Sequence, residues 1–129
     1  MKFKIFAIIT AIVSLLLGAG YLFAGSILIG RWQIEPTDSV LLFVRRMGAL
    51  YLGLAVMFFI ARSVPVSVAR MAISAGAAVG CSLLALLGLY EFSIGRVGPG
   101  ILVSIVVEAL IALGFIWILF SDRKGPVTG

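Results

Sequence analysis

The 129-residue chain is 63% hydrophobic and only 12% charged, with a mean hydropathy of +1.27 and a formal net charge of +5. A soluble domain is closer to half apolar and about a quarter charged, so this composition excludes a water-soluble globule and points to one domain with the bilayer as its solvent. The lack of histidine removes the commonest general base, metal ligand and haem ligand, and a single cysteine excludes an internal disulfide or a thiolate cluster. No cofactor and no metal site are expected.

Four apolar segments follow one another, at residues 5–29, 40–61, 71–90 and 101–120. The first is uncharged. Lys2 and Lys4 ahead of it and Gly18-Ala19-Gly20 within it resemble a signal peptide, but the apolar run continues well beyond the ~7–15 residues of a signal core. It is therefore expected to be an uncleaved span. The second follows Pro36-Thr37-Asp38, a break and then an N-cap, and carries Arg45 and Arg46 side by side. The third follows Ser63, Pro65 and Ser67. The lone Cys81 lies in it among apolar neighbours and reads as an inert packing residue. The fourth opens at Gly98-Pro99-Gly100, with proline in the first turn, where its missing N–H costs little. Glu108 is the fourth segment's one charge. The pattern predicts an all-α integral membrane four-helix bundle, up-down-up-down, whose short connections make sequential helices antiparallel neighbours.

Loop charges set an expected orientation. One side receives Lys2, Lys4, Arg62, Arg70, Arg123 and Lys124 against Asp122 alone, and so carries the whole net charge of +5. That side is predicted to be cytoplasmic, with both termini on it. The outer side's loops hold only Arg31 and Arg96 as bases. Trp32 and Trp117 fall near opposite boundaries, as interfacial aromatics do. The basic residues form no cluster, so no nucleic-acid partner is expected.

Charges inside the spans are costly and ask for a reason. Arg45, Arg46 and Glu108 all lie on the order of 10 Å below the outer ends of their helices, at ~1.5 Å per residue. Charges ~4 Å apart at an effective dielectric of ~20 gain ~4 kcal/mol, comparable with the penalty for burying one of them. An ion pair between the second and fourth spans is the simplest expectation. Adjacent arginines point about 100° apart, so one can pair while the other snorkels outward toward headgroups, Asp38 or Glu91. Arg45 shares its face with Gly48, Ala49 and Leu52, and Arg46 with Ala49 and Gly53. Ser104, Glu108 and Ala112 form a stripe that should look inward. The set reads either as glue between helices or as a polar pocket open to the outer side for an anionic headgroup or small polar ligand. Glu91 and Arg96 are counted with it as outer polar residues. A proton relay at Glu108 is the weaker reading, because a neighbouring arginine would hold it ionised.

Small residues mark packing faces in membranes. Gly76 and Gly80, with Ala72 one turn earlier, make a GxxxG run on the third span, and Gly48 and Gly53 lie on the second. No phosphate loop, dinucleotide-binding glycine pattern, HExxH, CxxC or nucleophile elbow occurs.

The run Arg45-Arg46-Met47-Gly48-Ala49-Leu50-Tyr51-Leu52-Gly53-Leu54, with an arginine ahead of small residues and an L-G-L triplet at the start of a second helix, resembles small bacterial four-span families labelled as domains of unknown function, near the DoxX-like group. The lone acid of the fourth span, Glu108, and a first helix ending ahead of a proline-containing loop fit the same pattern. The resemblance implies a helical bundle of the bacterial inner membrane. DoxX-like proteins are linked to quinone and thiosulfate-oxidation complexes, and no such site maps onto these residues.

The functional expectation is a non-enzymatic membrane protein that binds a lipid or small ligand, or serves as accessory subunit of a membrane complex, with Arg45, Arg46 and Glu108 as its polar core. Its candidate partners are the lipid bilayer, a lipid or small-molecule ligand, a membrane-protein partner and further copies of itself. The alternatives are a small oligomeric transporter or channel, against which the apolar inner halves of the spans count, and a lipid-modifying enzyme. The enzyme's thin candidate set is Glu108 with Tyr51 or Ser104.

Overall fold

Each apolar segment forms a helix in the computed structural model, which describes residues 2–124 and contains no strand among them. The elements are α1 (Lys2–Phe23), a short α2 (Gly25–Gly30), α3 (Asp38–Ala61), α4 (Val68–Ser93) and α5 (Ile101–Asp122). The four long helices are each long and apolar enough to cross a membrane, and the chain is a multi-pass membrane protein.

Helix ends follow from local chemistry. The Val40 N–H donates to Thr37 Oγ1 at 3.3 Å and the Arg70 N–H to Ser67 Oγ at 3.2 Å, so α3 and α4 are both capped by a side chain. The Leu102 N–H donates to the Pro99 carbonyl at 3.1 Å, placing proline in the turn that opens α5. α4 closes where Gly95 takes φ +79°. The Gly95 N–H then reaches Phe92 O at 3.1 Å and the Arg96 N–H reaches Glu91 O at 3.0 Å.

The first apolar run departs from the single span expected over 5–29. Ala24 leaves helical geometry (φ −135°, ψ 33°), and the remaining residues turn aside as α2. The 22 residues of α1 rise about 33 Å, enough for the ~30 Å hydrocarbon layer. The surplus then packs sideways. Gly25 lies so near α3 that a Cβ there would sit 2.8 Å from Val44 Cγ1.

α1 packs antiparallel along α3, and α4 along α5. In the first pair Gly18 and Gly48 face each other, and a Cβ on either would lie 2.9 Å from the other's carbonyl oxygen. In the second, Gly88 lies against Ile105. The two pairs meet through α1 and α5. α3 packs along neither α4 nor α5, so the expectation that all sequential helices are neighbours fails at the middle pair. A short 62–67 linker makes two helices antiparallel but supplies no face for them to share.

The half of the bundle nearest the termini is closed by a core from all four long helices: Phe3, Ala7 and Ala11, Phe58, Ala78, and Ile111, Phe115 and Ile118. Phe115 is its centre, with ring centroids 6.2 Å from Phe3 and from Phe6 and 5.7 Å from Phe58. Gly114 leaves room for the Phe6 ring, which a Cβ there would strike. At the same end Arg70 of α4 forks onto Asp122 of α5, Nε to Oδ2 at 2.8 Å and Nη2 to Oδ1 at 3.0 Å. Its guanidinium also lies 4.7 Å from the Phe3 ring centroid. Lys2 sits over Trp117 at 3.9 Å.

The distal half is built differently. Its core of Tyr21, Ile29 and Val44 belongs to α1, α2 and α3 alone. α4 and α5 touch this half through the turns, where the Gly98 N–H donates to Trp32 O at 2.8 Å and the Gln33 side chain lies against Gly98.

Candidate functional site: an apolar cavity with one carboxyl group

Two helix pairs joined at one end by a phenylalanine core and at the other by their turns leave a space between them. It is a cavity of about 690 Å³ lined by α1, α3, α4 and α5. The lining is overwhelmingly aliphatic and aromatic. Several of its residues also face outward on the helix flanks, among them Leu16 and Val103 (68% and 71% exposed) and Met57 and Leu84. The cavity therefore communicates with the surface that meets lipid.

Among the described residues, Glu108 supplies the cavity's one acid, and no lysine or arginine lines it. Its Oε2 is buried with no hydrogen-bond partner among the described residues. Tyr21, Tyr51 and Cys81 stand close enough to interact with its charge. The Tyr21 and Tyr51 rings lie 5.8 Å apart at 37°, and Trp32 meets Tyr21 edge-on at 6.5 Å. An aromatic ladder thus runs from the distal turn into the cavity. Thr10, Ser14 and Ser104 add hydroxyls to the wall, and the Thr10 hydroxyl already donates to Phe6 O at 2.7 Å. Among the described residues, no group of three His, Cys, Asp or Glu side chains is placed to hold a metal ion.

The structure brings together only part of the expected polar core. Ser104 and Glu108 share the cavity, joined by Tyr51. Arg45 and Arg46 do not. Both are exposed on α3, and neither makes an ion pair or hydrogen bond among the described residues. Their depth along the helix axis matches that of Glu108. However, α3 meets α5 only where Phe58 reaches Phe115 in the terminal core, and neither arginine lines the cavity that parts the two helices at Glu108. Glu91 and Arg96 pair with each other at 3.4 Å at the distal end of α4, in an exposed position far less costly to disrupt.

The glycines divide in the same way. Gly48 is a close-packing residue. A Cβ on Gly53, Gly76 or Gly80 would meet nothing within 4 Å. Gly76 and Gly80 border the cavity instead of gripping a helix. Cys81, read as a packing residue, also lines the cavity.

Two features escaped the sequence reading. Tyr21 carried a signal, being a lone phenol in a long apolar run whose polar tip needs a partner. The Arg70–Asp122 fork carried none, because both residues look like ordinary loop charges and lie 52 positions apart.

Compared with known proteins, the chain matches no family model, no curated protein and no solved structure.

Proposed function

We propose that this protein is a membrane-embedded binding protein that takes a lipid or small amphiphilic molecule from the bilayer into the space between its two helix pairs. The observation that carries this reading is the cavity of about 690 Å³, within the ~300–1,000 Å³ range of small-molecule sites and, like them, apolar with a few converging polar groups. A continuous pore fits less well, because phenylalanine rings fill the terminal half.

The test uses the glycines that border the cavity. Gly76→Leu with Gly80→Leu adds bulk where a Cβ meets nothing, so the fold should melt no lower than wild type. Native mass spectrometry from mild detergent should show a discrete adduct on the wild type and none on the double variant. Equal adducts on both would overturn the reading.

The location proposed is the bacterial cytoplasmic membrane, with both termini inside, on the strength of the charge asymmetry and of the resemblance to the DoxX-like four-span families. In a Cys81→Ala background, Ser93→Cys should react with a membrane-impermeant thiol reagent added to intact cells, and Ser63→Cys should not. The reverse pattern inverts the topology.

A second role, accessory subunit of a membrane complex, is favoured by Arg45 and Arg46. Two guanidinium groups exposed on a membrane-spanning helix, without an ion pair among the described residues, call for acidic groups outside this chain. Arg45→Gln with Arg46→Gln should abolish co-purification of such a partner and leave the cavity adduct in place.

A further inference from the structure

The chemistry of the cavity narrows what it can hold, and the argument rests on the binding reading above. Glu108 is the one group in the wall that can carry a full charge under ordinary conditions, since its titratable neighbours are two phenols and a thiol. The chain's bases are placed elsewhere. Arg70 is held by Asp122 and Arg96 by Glu91. Lys2 sits over Trp117 and Arg62 over Phe59, and Arg45 and Arg46 lie on the far flank of α3. Among the described residues no basic side chain lines the cavity, and Glu108 Oε2 is buried without a hydrogen-bond partner. A carboxylate with a buried oxygen is costly unless a counter-charge reaches it, and no base among the described residues is placed to bring one, so an occupant of the cavity must.

The surroundings favour the same kind of occupant. Tyr21 and Tyr51, with ring centroids 5.8 Å apart, line the same cavity as the acid, and aromatic rings attract organic cations, most strongly where water is excluded. Away from Glu108 the wall is aliphatic, so the rest of the occupant must be apolar. The flanks at Leu16, Met57, Leu84 and Val103 offer a way in from lipid. We infer that the cavity is a site for an apolar organic cation, an ammonium or phosphonium carried on a hydrophobic body, with Glu108 as its counter-ion and the Tyr21–Tyr51 pair as its aromatic wall.

The probes are tetraphenylphosphonium, which is permanently charged, and triphenylphosphine oxide, which is neutral and of similar aromatic character. Binding is read by equilibrium dialysis of the full chain in mild detergent, for wild type, Glu108→Gln and Gly76→Leu with Gly80→Leu. Tetraphenylphosphonium should bind the wild type and lose affinity by about 30-fold or more in Glu108→Gln, the scale of removing one partner of a buried charge pair. The neutral probe should bind weakly and equally to both. If both probes bind the wild type alike and Glu108→Gln changes neither, the cation inference is overturned while the binding reading stands. If neither probe binds and the double glycine variant leaves the native adduct unchanged, the binding reading itself fails. Glu108 Oε2 makes no hydrogen bond among the described residues, so the isosteric glutamine removes no such contact. Should that variant nevertheless fail to fold, a measurement on wild type decides. Tetraphenylphosphonium should protect Glu108 from an apolar carbodiimide, read by intact mass, and the neutral probe should not. Labelling that is indifferent to the cation overturns the inference.

Discussion

Two kinds of glycine sit in these helices, and their substitution should separate them. Gly48 lies against Gly18 across a helix crossing, where a Cβ would come 2.9 Å from a backbone oxygen that cannot move aside. Gly48→Val should lower unfolding stability in detergent by about 1–3 kcal/mol, the usual cost of overpacking. Gly76→Val, at a position with open space around it, should leave the melting temperature where it was. The letters alone invite the opposite ranking, because Gly76 and Gly80 form the GxxxG string and Gly18 and Gly48 form no string at all. A spacing motif describes one helix, whereas close approach is a property of two. The partner of Gly48 lies in another segment, and nothing in its neighbourhood advertises the match. Glu108 was legible for a simpler reason: an acid in a span stands out whatever its surroundings. The loss of its expected arginine partner was not legible, since depth along the axis can be counted from sequence but rotation about it cannot.

Helix boundaries were the most readable level. Thr37 and Ser67 cap α3 and α4 through hydroxyls that accept from Val40 and Arg70 N–H groups, as the strings around Pro36 and Pro65 imply. Thr37→Ala should cost about 1 kcal/mol. Ser67→Ala should cost more in the same denaturation series, because the Ser67 side chain is buried and also donates to Pro65 O at 2.9 Å. The break at Ala24 was not readable, since the residues on either side are apolar and uncharged. What decides it is the place of Gly25 against Val44, a tertiary contact. Which helices would share faces was equally hidden. Short linkers fix antiparallel direction, yet α3 packs on α1 and leaves α4 alone, and the cavity exists because of that choice.

At the scale of the molecule, the bundle is fastened at its two ends by different means. At the terminal end the Arg70–Asp122 fork is largely shielded, with side chains 13% and 17% exposed, and removing one partner of a buried pair leaves the other uncompensated. Asp122→Asn should therefore cost about 3 kcal/mol, whereas Glu91→Gln, which breaks the exposed pair with Arg96, should cost about 0–1 kcal/mol. Chemical denaturation of the two variants side by side checks the contrast. At the distal end a backbone hydrogen bond from Gly98 to Trp32 ties the turns together, and of the substitutions at Gly98 only proline, which lacks the N–H, would remove the donor itself. With both ends fastened, the route into the space between the helix pairs runs through the flanks. An occupant then arrives by two-dimensional diffusion and is counted per lipid, not per litre. In vesicles of fixed protein and ligand content, occupancy by a fully partitioned ligand should fall as lipid is added and stay constant as buffer is added. The relevant dissociation constant is a mole fraction in the bilayer.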